Sequence, residues 1–330
     1  MDTNKRIRYI ISLLMITFMV GVAEILEEKE IIFPELVALT VGLWIIDKRV
    51  WRAQRWQIVA LMTLGAVAGV CIVRFSPLPH PANMALAFAL AAVCLLAARS
   101  SLIPLVSACM LPVLLYTEHW VYPVTVLVMS LILVGTQQMM EKKGLRSKSV
   151  YEPALKATER GVLKWFSLLV VVFLFSLLAY YSGWTFLVIP PLVVAFVEMS
   201  TSKAGFRNRP AQVFLLMIIG VGIGSAFQYF GYYQLGLPQT VVALLIALCL
   251  FGVFEWTGKY FAPAGALAFI PMIVPPETLP ALPWQSALGA AVFIVVAMIA
   301  YLKCYHWSRA QFIYSVTPSL LRPHIHKKKR

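Results

Sequence analysis

The stretch Trp56–Phe75 reads WQIVALMTLGAVAGVCIVRF and carries a single charged residue, Arg74. An apolar run of about 20 residues is long enough to cross the hydrocarbon core of a bilayer as a helix. Similar runs cover Val162–Tyr181 and Ser286–Leu302. Of the 330 residues, 61% are hydrophobic and 13% are charged, whereas soluble domains carry about 25% charged residues. The sequence therefore predicts an integral membrane protein without room for a sizeable soluble domain.

The N-terminal segment is expected to stay in the protein as a first membrane helix. A basic start precedes its apolar residues, as it does in a secretory signal. However, the segment runs into Glu24 and Glu27 without a small-residue cleavage pattern.

The two halves of the chain share a series of landmarks at an offset of about 155 to 160 residues, which indicates an internal duplication. Each pair alone is a weak match, but all of them occur in the same order. The pairs are Phe33–Ala38 with Ile189–Val194, Lys48 and Arg52 with Lys203 and Arg207, Gly65–Gly69 with Gly220–Gly224, Pro104 and Pro112 with Pro263 and Pro271, and Tyr122–Pro123 with Leu282–Pro283.

We predict an all-α polytopic membrane protein of about 12 membrane segments, arranged as two parallel 6-segment repeats with one short proline-bracketed helix per repeat. The predicted parts are a first repeat (1–140), a cytoplasmic linker (141–164), a second repeat (165–303) and a basic cytoplasmic tail (304–330). The short segments are 102–116 and 261–275, while 31–47 and 186–200 are counted as ordinary crossings. A re-entrant hairpin is the alternative for the two short segments.

Charge favours full crossings. With a cytoplasmic N-terminus and six crossings per repeat, all but two of the 28 basic residues fall on the cytoplasmic side, the exceptions being Lys29 and Arg74. A re-entrant short segment would move the basic linker outside. The same distribution explains the net charge of +14 without nucleic-acid binding, because no basic face is interleaved with exposed aromatics. An even number of crossings makes the repeats parallel.

Short helices that begin with proline are the main candidates for a solute site. Interrupted helices mark binding sites in transporters, and helix N-termini present a partial positive charge and free N–H groups to anions. The alternative is that the prolines only kink lipid-facing helices. The candidate residues on the solute path are Pro104, Pro190, Pro191, Glu198, Pro263 and Gly265. The glycines at small-xxx-small spacing are expected to serve close helix packing.

Ionisable residues inside a membrane are costly and are functional candidates. Glu198 is the best of them, with snorkelling to the interface as the alternative. Glu35 follows Pro34 and could simply favour the positive end of its helix. Glu24 and Arg74 lie near predicted outer ends, where they could pair with each other or guide a solute.

The remaining polar residues predict neither an enzyme nor a metal or cofactor site. The five histidines have no partner at the spacing of a metal site or a catalytic triad. The odd number of cysteines, mostly in apolar segments, favours buried thiols. Ten aromatic residues at segment ends are expected to form interfacial belts: Trp51, Trp56, Tyr116, Trp120, Tyr122, Trp184, Tyr229, Tyr232, Tyr233 and Trp284.

The second half resembles the HPP family of integral membrane proteins. Pro190–Ala195 resembles the family's Pro-Pro-x-x-Ala-Ser helix, and Phe261–Ala266 resembles its His-Pro-Pro-Ala-Gly-Ala signature. The His and first Pro of that signature are Phe261 and Ala262 here. Some HPP members are implicated in nitrite transport, so the resemblance implies a small anion as substrate. The six-segment unit also resembles the aromatic-acid and fusaric-acid exporters.

These features favour a multi-pass transporter or channel for a small anion or polar solute in the cell (inner or plasma) membrane, with both termini cytoplasmic. The alternatives are an exporter of aromatic or amphipathic organic acids and a non-transporting scaffold or partner subunit. The expected partners are the lipid bilayer and the solute, without nucleic acid. The sequence leaves open whether the chain forms a homo-oligomer.

Overall fold

The computed structural model describes residues 3–48, 50–148, 158–201 and 205–317. Within these ranges the chain is helical and contains no strand. The α-helices, in chain order, are α1 (Thr3–Ile25), α2 (Glu35–Thr40), α3 (Arg55–Phe75), α4 (His80–Ala97), α5 (Pro104–Leu115), α6 (Val121–Lys142), α7 (Glu159–Ser182), α8 (Pro190–Thr201), α9 (Pro210–Ala226), α10 (Gln239–Thr257), α11 (Ala262–Phe269), α12 (Leu282–Val296) and α13 (Arg309–Val316).

Eight helices, namely α1, α3, α4, α6, α7, α9, α10 and α12, are long and apolar enough to cross a membrane. Two of them are prolonged by π-helical segments, α9 by Phe227–Gln234 and α12 by Ala297–Tyr301. Large apolar side chains such as Phe18, Leu131 and Leu178 are exposed on these helices. Such broad apolar exposure suits contact with lipid. The chain is thus an all-α membrane protein, as the sequence predicts.

Four short helices, α2, α5, α8 and α11, form an inner layer that the long helices surround. Every residue of α2 and α11 is buried, and so are all but the last one in α5 and in α8. From the sequence, one short helix per half is expected, but each half has two. The difference arises in 31–47 and 186–200, because the residues before Pro34 and Pro190 form 3-10 turns and extended chain instead of helix.

Both ends of α5 reach the ends of long helices. We call the side of the bundle on which α1 begins the N-side and the opposite side the far side. Just before α5, the Ser101 amide donates to the Arg52 carbonyl at the N-side start of α3, over 3.1 Å. Just after α5, the Tyr116 ring stacks on His80 at the far-side start of α4, with 4.8 Å between ring centroids. The 12 residues of α5, together with the residues on either side, therefore connect the same two levels as a long helix.

Helix α8 has contacts at the same two levels. Before it, the Phe186 amide donates to Gln285 Oε1 at the far-side start of α12, over 3.0 Å. At its last turn, the Ser200 carbonyl accepts a hydrogen bond from Lys164 near the N-side start of α7.

Helix α1 of the first half is fastened to α10 of the second half at both ends. At the far side, Glu24 accepts hydrogen bonds from the backbone amides of Gln239 (2.8 Å) and Thr240 (2.9 Å), and thus caps α10. At the N-side, Lys5 forms a 2.8 Å ion pair with Glu255. These bonds hold the two halves of the chain against each other.

Glu24 and Arg74 bind different partners and do not form the pair that the sequence suggests. Glu24 caps α10, as described above, because the amides at the start of a helix need acceptors. The Arg74 guanidinium lies over the Trp120 ring, 5.8 Å from its centroid.

Part of the predicted linker folds back onto the helices. Arg146 is buried, and its guanidinium donates to the carbonyls of Trp44 and Ile46, each over 2.9 Å. The linker residues 149–157 lie outside the described residues, as do the tail residues 318–330 with His324 and His326, the repeat landmark Lys203, and Arg49.

Candidate functional site

The first turns of all four short helices meet at one central cavity. Its volume is about 10 Å³, which is roughly what one water molecule requires. Each helix contributes a pair of residues three positions apart, and Ala262 and Trp51 complete the wall. The pairs are Glu35 and Ala38 from α2, Pro104 and Ser107 from α5, Pro191 and Val194 from α8, and Pro263 and Ala266 from α11.

At least one backbone amide in the first turn of each short helix is already bonded, where free donors are expected. Backbone amides in each first turn donate to the carbonyl of a residue just before the helix. The bonds are Leu36 to Phe33 (3.0 Å), Leu105 to Leu102 (3.1 Å), Leu192 to Ile189 (2.8 Å) and Ala264 to Phe261 (3.1 Å). These amides are therefore engaged, and the helices offer the cavity the positive ends of their dipoles.

A carboxyl group belonging to the protein lies at this meeting point of helix ends. Glu35 is 1% exposed, and its Oε1 accepts a hydrogen bond from the Ser107 hydroxyl of α5. Within the described residues, Oε2 has no hydrogen-bond partner. Both residues line the central cavity, although the surface of the closed cavity itself is apolar.

Trp51 closes the cavity towards the N-side. The residue is 3% exposed, which contradicts its assignment to an interfacial belt. The same assignment is wrong for Tyr122, which is also buried. The Trp51 indole Nε1 donates to Glu198 Oε1 over 2.9 Å, and its ring lies where a Cβ of Gly42 would have to be. The glycine at position 42 therefore leaves space for the ring.

A larger cavity of about 310 Å³, which we call the vestibule, has Trp51 in its wall as well. It is partly polar, with Arg55, Arg146 and Gln137 among its lining residues, and it includes the exposed Trp56. Arg55 also forms an ion pair with Glu141 at the end of α6. The remaining lining residues of the vestibule are Gly42, Leu43, Val50, Ala53, Gln54 and Ile58. Trp51 belongs to both walls and separates the vestibule from the central cavity.

The sequence-based candidates lie close together, in different roles. Pro104, Pro191 and Pro263 line the central cavity. Pro190, the first residue of α8, is buried beside it. Gly265 packs α11 against α2, because a Cβ there would come within 3.2 Å of a Val37 methyl carbon.

Glu198 lies behind the cavity wall instead of in it. It is 3% exposed and reaches the site through Trp51. It therefore does not snorkel to the interface, which was the alternative for this residue.

The sequence does not point to Ser107, and it places Trp51 in an interfacial belt. For Glu35 it suggests only a favourable position at the end of its helix. Ser107 is an unremarkable residue in an apolar run, and its partner Glu35 is 72 positions away in the chain. In three of the four short helices the lining pair is a proline and the residue three positions later, and this is the sequence signal that could have identified the cavity lining.

The sequence matches no protein-family model and no curated protein, and the fold matches no solved structure. The resemblance to the HPP family rests on the motifs quoted above.

Proposed function

We propose that this chain is a secondary transporter for a small anion or polar solute, which passes through the central cavity between two halves of the chain. The observation that carries the proposal is the convergence of four buried, proline-led helix starts on a single cavity. In membrane transporters, interrupted helices of this kind hold substrate near the middle of the bilayer. Non-helical chain at membrane depth is tolerated where it is buried or lines a cavity.

The closed cavity favours a transporter over a channel. A channel needs a continuous path, but the central cavity has a volume of only about 10 Å³ and is separated from the vestibule by Trp51. The arrangement fits a state of an alternating-access cycle in which the solute site is occluded. Movement of the Trp51 ring would join the site to the vestibule.

We also propose that the membrane domain consists of twelve crossings in two parallel repeats. The contacts at both ends of α5 and α8 support crossings by the short helices. One pair of equivalent glycines, Gly69 and Gly224, supports the duplication. A Cβ on Gly69 would overlap the Cys109 carbonyl and lie 3.0 Å from Pro112, while a Cβ on Gly224 would overlap the Ala268 carbonyl and lie 3.0 Å from Pro271.

The N-side is proposed to be cytoplasmic, in the cell membrane. Arg8, Arg55 and Arg146 lie there, together with the ion pair of Lys5. This agrees with the excess of basic residues on the cytoplasmic side of membrane proteins.

A small anion is the solute class that the site favours. The dipoles of four helices point their positive ends at the cavity, and the arginines of the vestibule would attract anions towards it. The likeness of Phe261–Ala266 to the HPP signature supports nitrite as the first solute to test.

Export of aromatic organic acids is the second candidate, because of the vestibule. Its volume of about 310 Å³ falls in the range of small-molecule sites. Trp56 could stack on a ring, and Arg146 could pair with a carboxylate. Under this alternative the larger solute would bind in the vestibule instead of the central cavity.

Flux into proteoliposomes tests the proposal. Purified protein is reconstituted, and uptake of nitrite, nitrate, chloride and benzoate is compared with protein-free liposomes. We expect saturable uptake of one of the small anions and a strong loss of it in the double variant Pro263→Ala/Gly265→Val, which wedges α11 away from α2. Selective uptake of benzoate would favour the second candidate.

The matched control is Gly222→Ala, because a Cβ at Gly222 meets open space. This variant should transport like the wild type. Equal flux of all four anions, or no flux above that of empty liposomes, would contradict the proposal.

A further inference from the structure

We infer that Glu35 is an exchangeable proton site, and that the chain moves its solute together with a proton carried on this carboxyl group. The inference rests on the proposed transport function for its coupling. The proton site itself can be tested without transport. The central cavity then has a second role, because one of the groups at the four helix ends is the carboxyl group of Glu35.

The first support is the burial of Glu35 together with its incomplete hydrogen bonding. The side chain is 1% exposed, and only Oε1 is bonded, to the Ser107 hydroxyl. Oε2 has no partner among the residues that the structure describes. Ionisable groups held inside a membrane domain are commonly parts of proton relays.

The second support is the room beside this carboxyl group. Glu35 and Ser107 line the same cavity, which is large enough for about one water molecule. The surface of the closed cavity is apolar, so water reaches Oε2 when the Trp51 ring moves and joins the cavity to the vestibule. A proton carried by that water can bind Oε2, while the Ser107 hydroxyl continues to donate to Oε1. Ser107 thus positions the carboxyl group in both of its protonation states.

The surroundings contain few other groups that could compete for the proton. Helix α11 and the nearest turn of α8 present only alanine, proline and valine to the cavity. From α6, the buried Tyr122 interacts electrostatically with Glu35, and α5 also carries Cys109. Glu198 of α8 lies beyond Trp51.

On the N-side end of α2 and its continuation, the charged neighbours are Arg8 of α1 and Arg146. The Arg8 guanidinium is engaged by the Trp44 carbonyl at 2.8 Å and by Asp47 at 2.7 Å. The Arg146 guanidinium donates to the carbonyls of Trp44 and Ile46, each over 2.9 Å. The part of the chain that the structure describes places no basic side chain in an ion pair with Glu35. Charge balance at Glu35 is therefore left to a proton or to the helix dipoles.

The cycle needs only the solute and a proton from the surrounding solution. When the Trp51 ring moves away, water of the vestibule connects the cavity with the N-side solution, and a hydronium ion gives its proton to the Glu35 carboxylate and leaves as water. The carboxyl group is now neutral, so a solute anion can occupy the positive helix ends without facing a second negative charge. Opening to the far side releases the anion and the proton together, and the carboxylate is restored.

Infrared difference spectroscopy on purified protein tests the proton site directly. A pH jump should produce a carboxyl C=O band that is absent in Glu35→Gln and unchanged in the control Glu277→Gln, whose side chain is exposed. If no band of the wild type depends on Glu35, the inference is overturned. If Glu35→Gln does not fold, Ser107→Ala replaces it. The band should then persist at a shifted frequency, and an unshifted band would count against the site.

Proton coupling is tested in proteoliposomes that contain the pH dye pyranine, with nitrite and, separately, nitrate as probes. Wild type should move one proton with each anion, whereas Glu35→Gln should transport the anion without a proton or not at all. Unchanged coupling in Glu35→Gln overturns the inference. If neither anion moves while the infrared band behaves as expected, the choice of solute in the proposed function fails and the proton site stands.

Discussion

Replacing Gly224 by alanine should weaken the packing of the long helix α9 against the inner helix α11. A Cβ at this position overlaps the Ala268 carbonyl oxygen and lies 2.9 Å from its carbon atom. Carbon atoms pack best about 3.5–4.0 Å apart, so α9 and α11 must separate by roughly 1 Å, which forfeits roughly a quarter to a half of each contact along the interface. Overpacking of this kind costs about 1–3 kcal/mol.

The assay is thermal unfolding of detergent-purified protein, with Gly222→Ala as the matched control on the same helix. Both variants gain the higher helix propensity of alanine, about 1 kcal/mol, but only Gly224→Ala meets a neighbour. We expect Gly224→Ala to unfold several degrees below Gly222→Ala, and Gly69→Ala to behave like Gly224→Ala. Equal transition temperatures for Gly224→Ala and Gly222→Ala would refute the reasoning from close backbone approach.

Three further outcomes are expected in the same unfolding assay. Glu24→Ala removes the cap of α10 and should cost about 0.5–2 kcal/mol, whereas Glu24→Gln, which keeps an acceptor, should cost less. Trp51→Phe keeps a ring but leaves the buried Glu198 without its indole donor, so about 1–3 kcal/mol should be lost, and a wild-type transition would contradict the hydrogen bond. Lys5→Met breaks a partly exposed ion pair with Glu255 and should cost at most about 1 kcal/mol; a larger loss would mean that this contact governs the packing of the two halves.

Much of the architecture can be predicted from the sequence, because bilayer thickness sets a length that apolar runs must match. The eight long helices and the short proline-led segments 102–116 and 261–275 follow from that rule. The shortness of the helices in 31–47 and 186–200 does not, since these runs are as apolar as the others. In both runs the α-helix begins at or directly after a proline, so the position of that proline sets the length of the helix.

The site is harder to predict, because it depends on contacts between distant parts of the chain. Proline positions identify three of the cavity residues through their helix starts. Trp51, however, stands beside a basic loop, where tryptophan usually marks an interface, and only the fold buries it against Glu198. The pairing of Glu35 with Ser107 has no sequence signature at all.

Accessibility of the central cavity from the two sides of the membrane tests the transport proposal most directly. Ala266→Cys is made in a chain whose five native cysteines are replaced, and a membrane-impermeant thiol reagent is applied to sealed vesicles of each orientation. We expect Ala266→Cys to be labelled from both sides, and the rate of labelling from the N-side to rise when Trp51→Ala is added. A cavity that stays unlabelled from both sides, with and without Trp51, would contradict it.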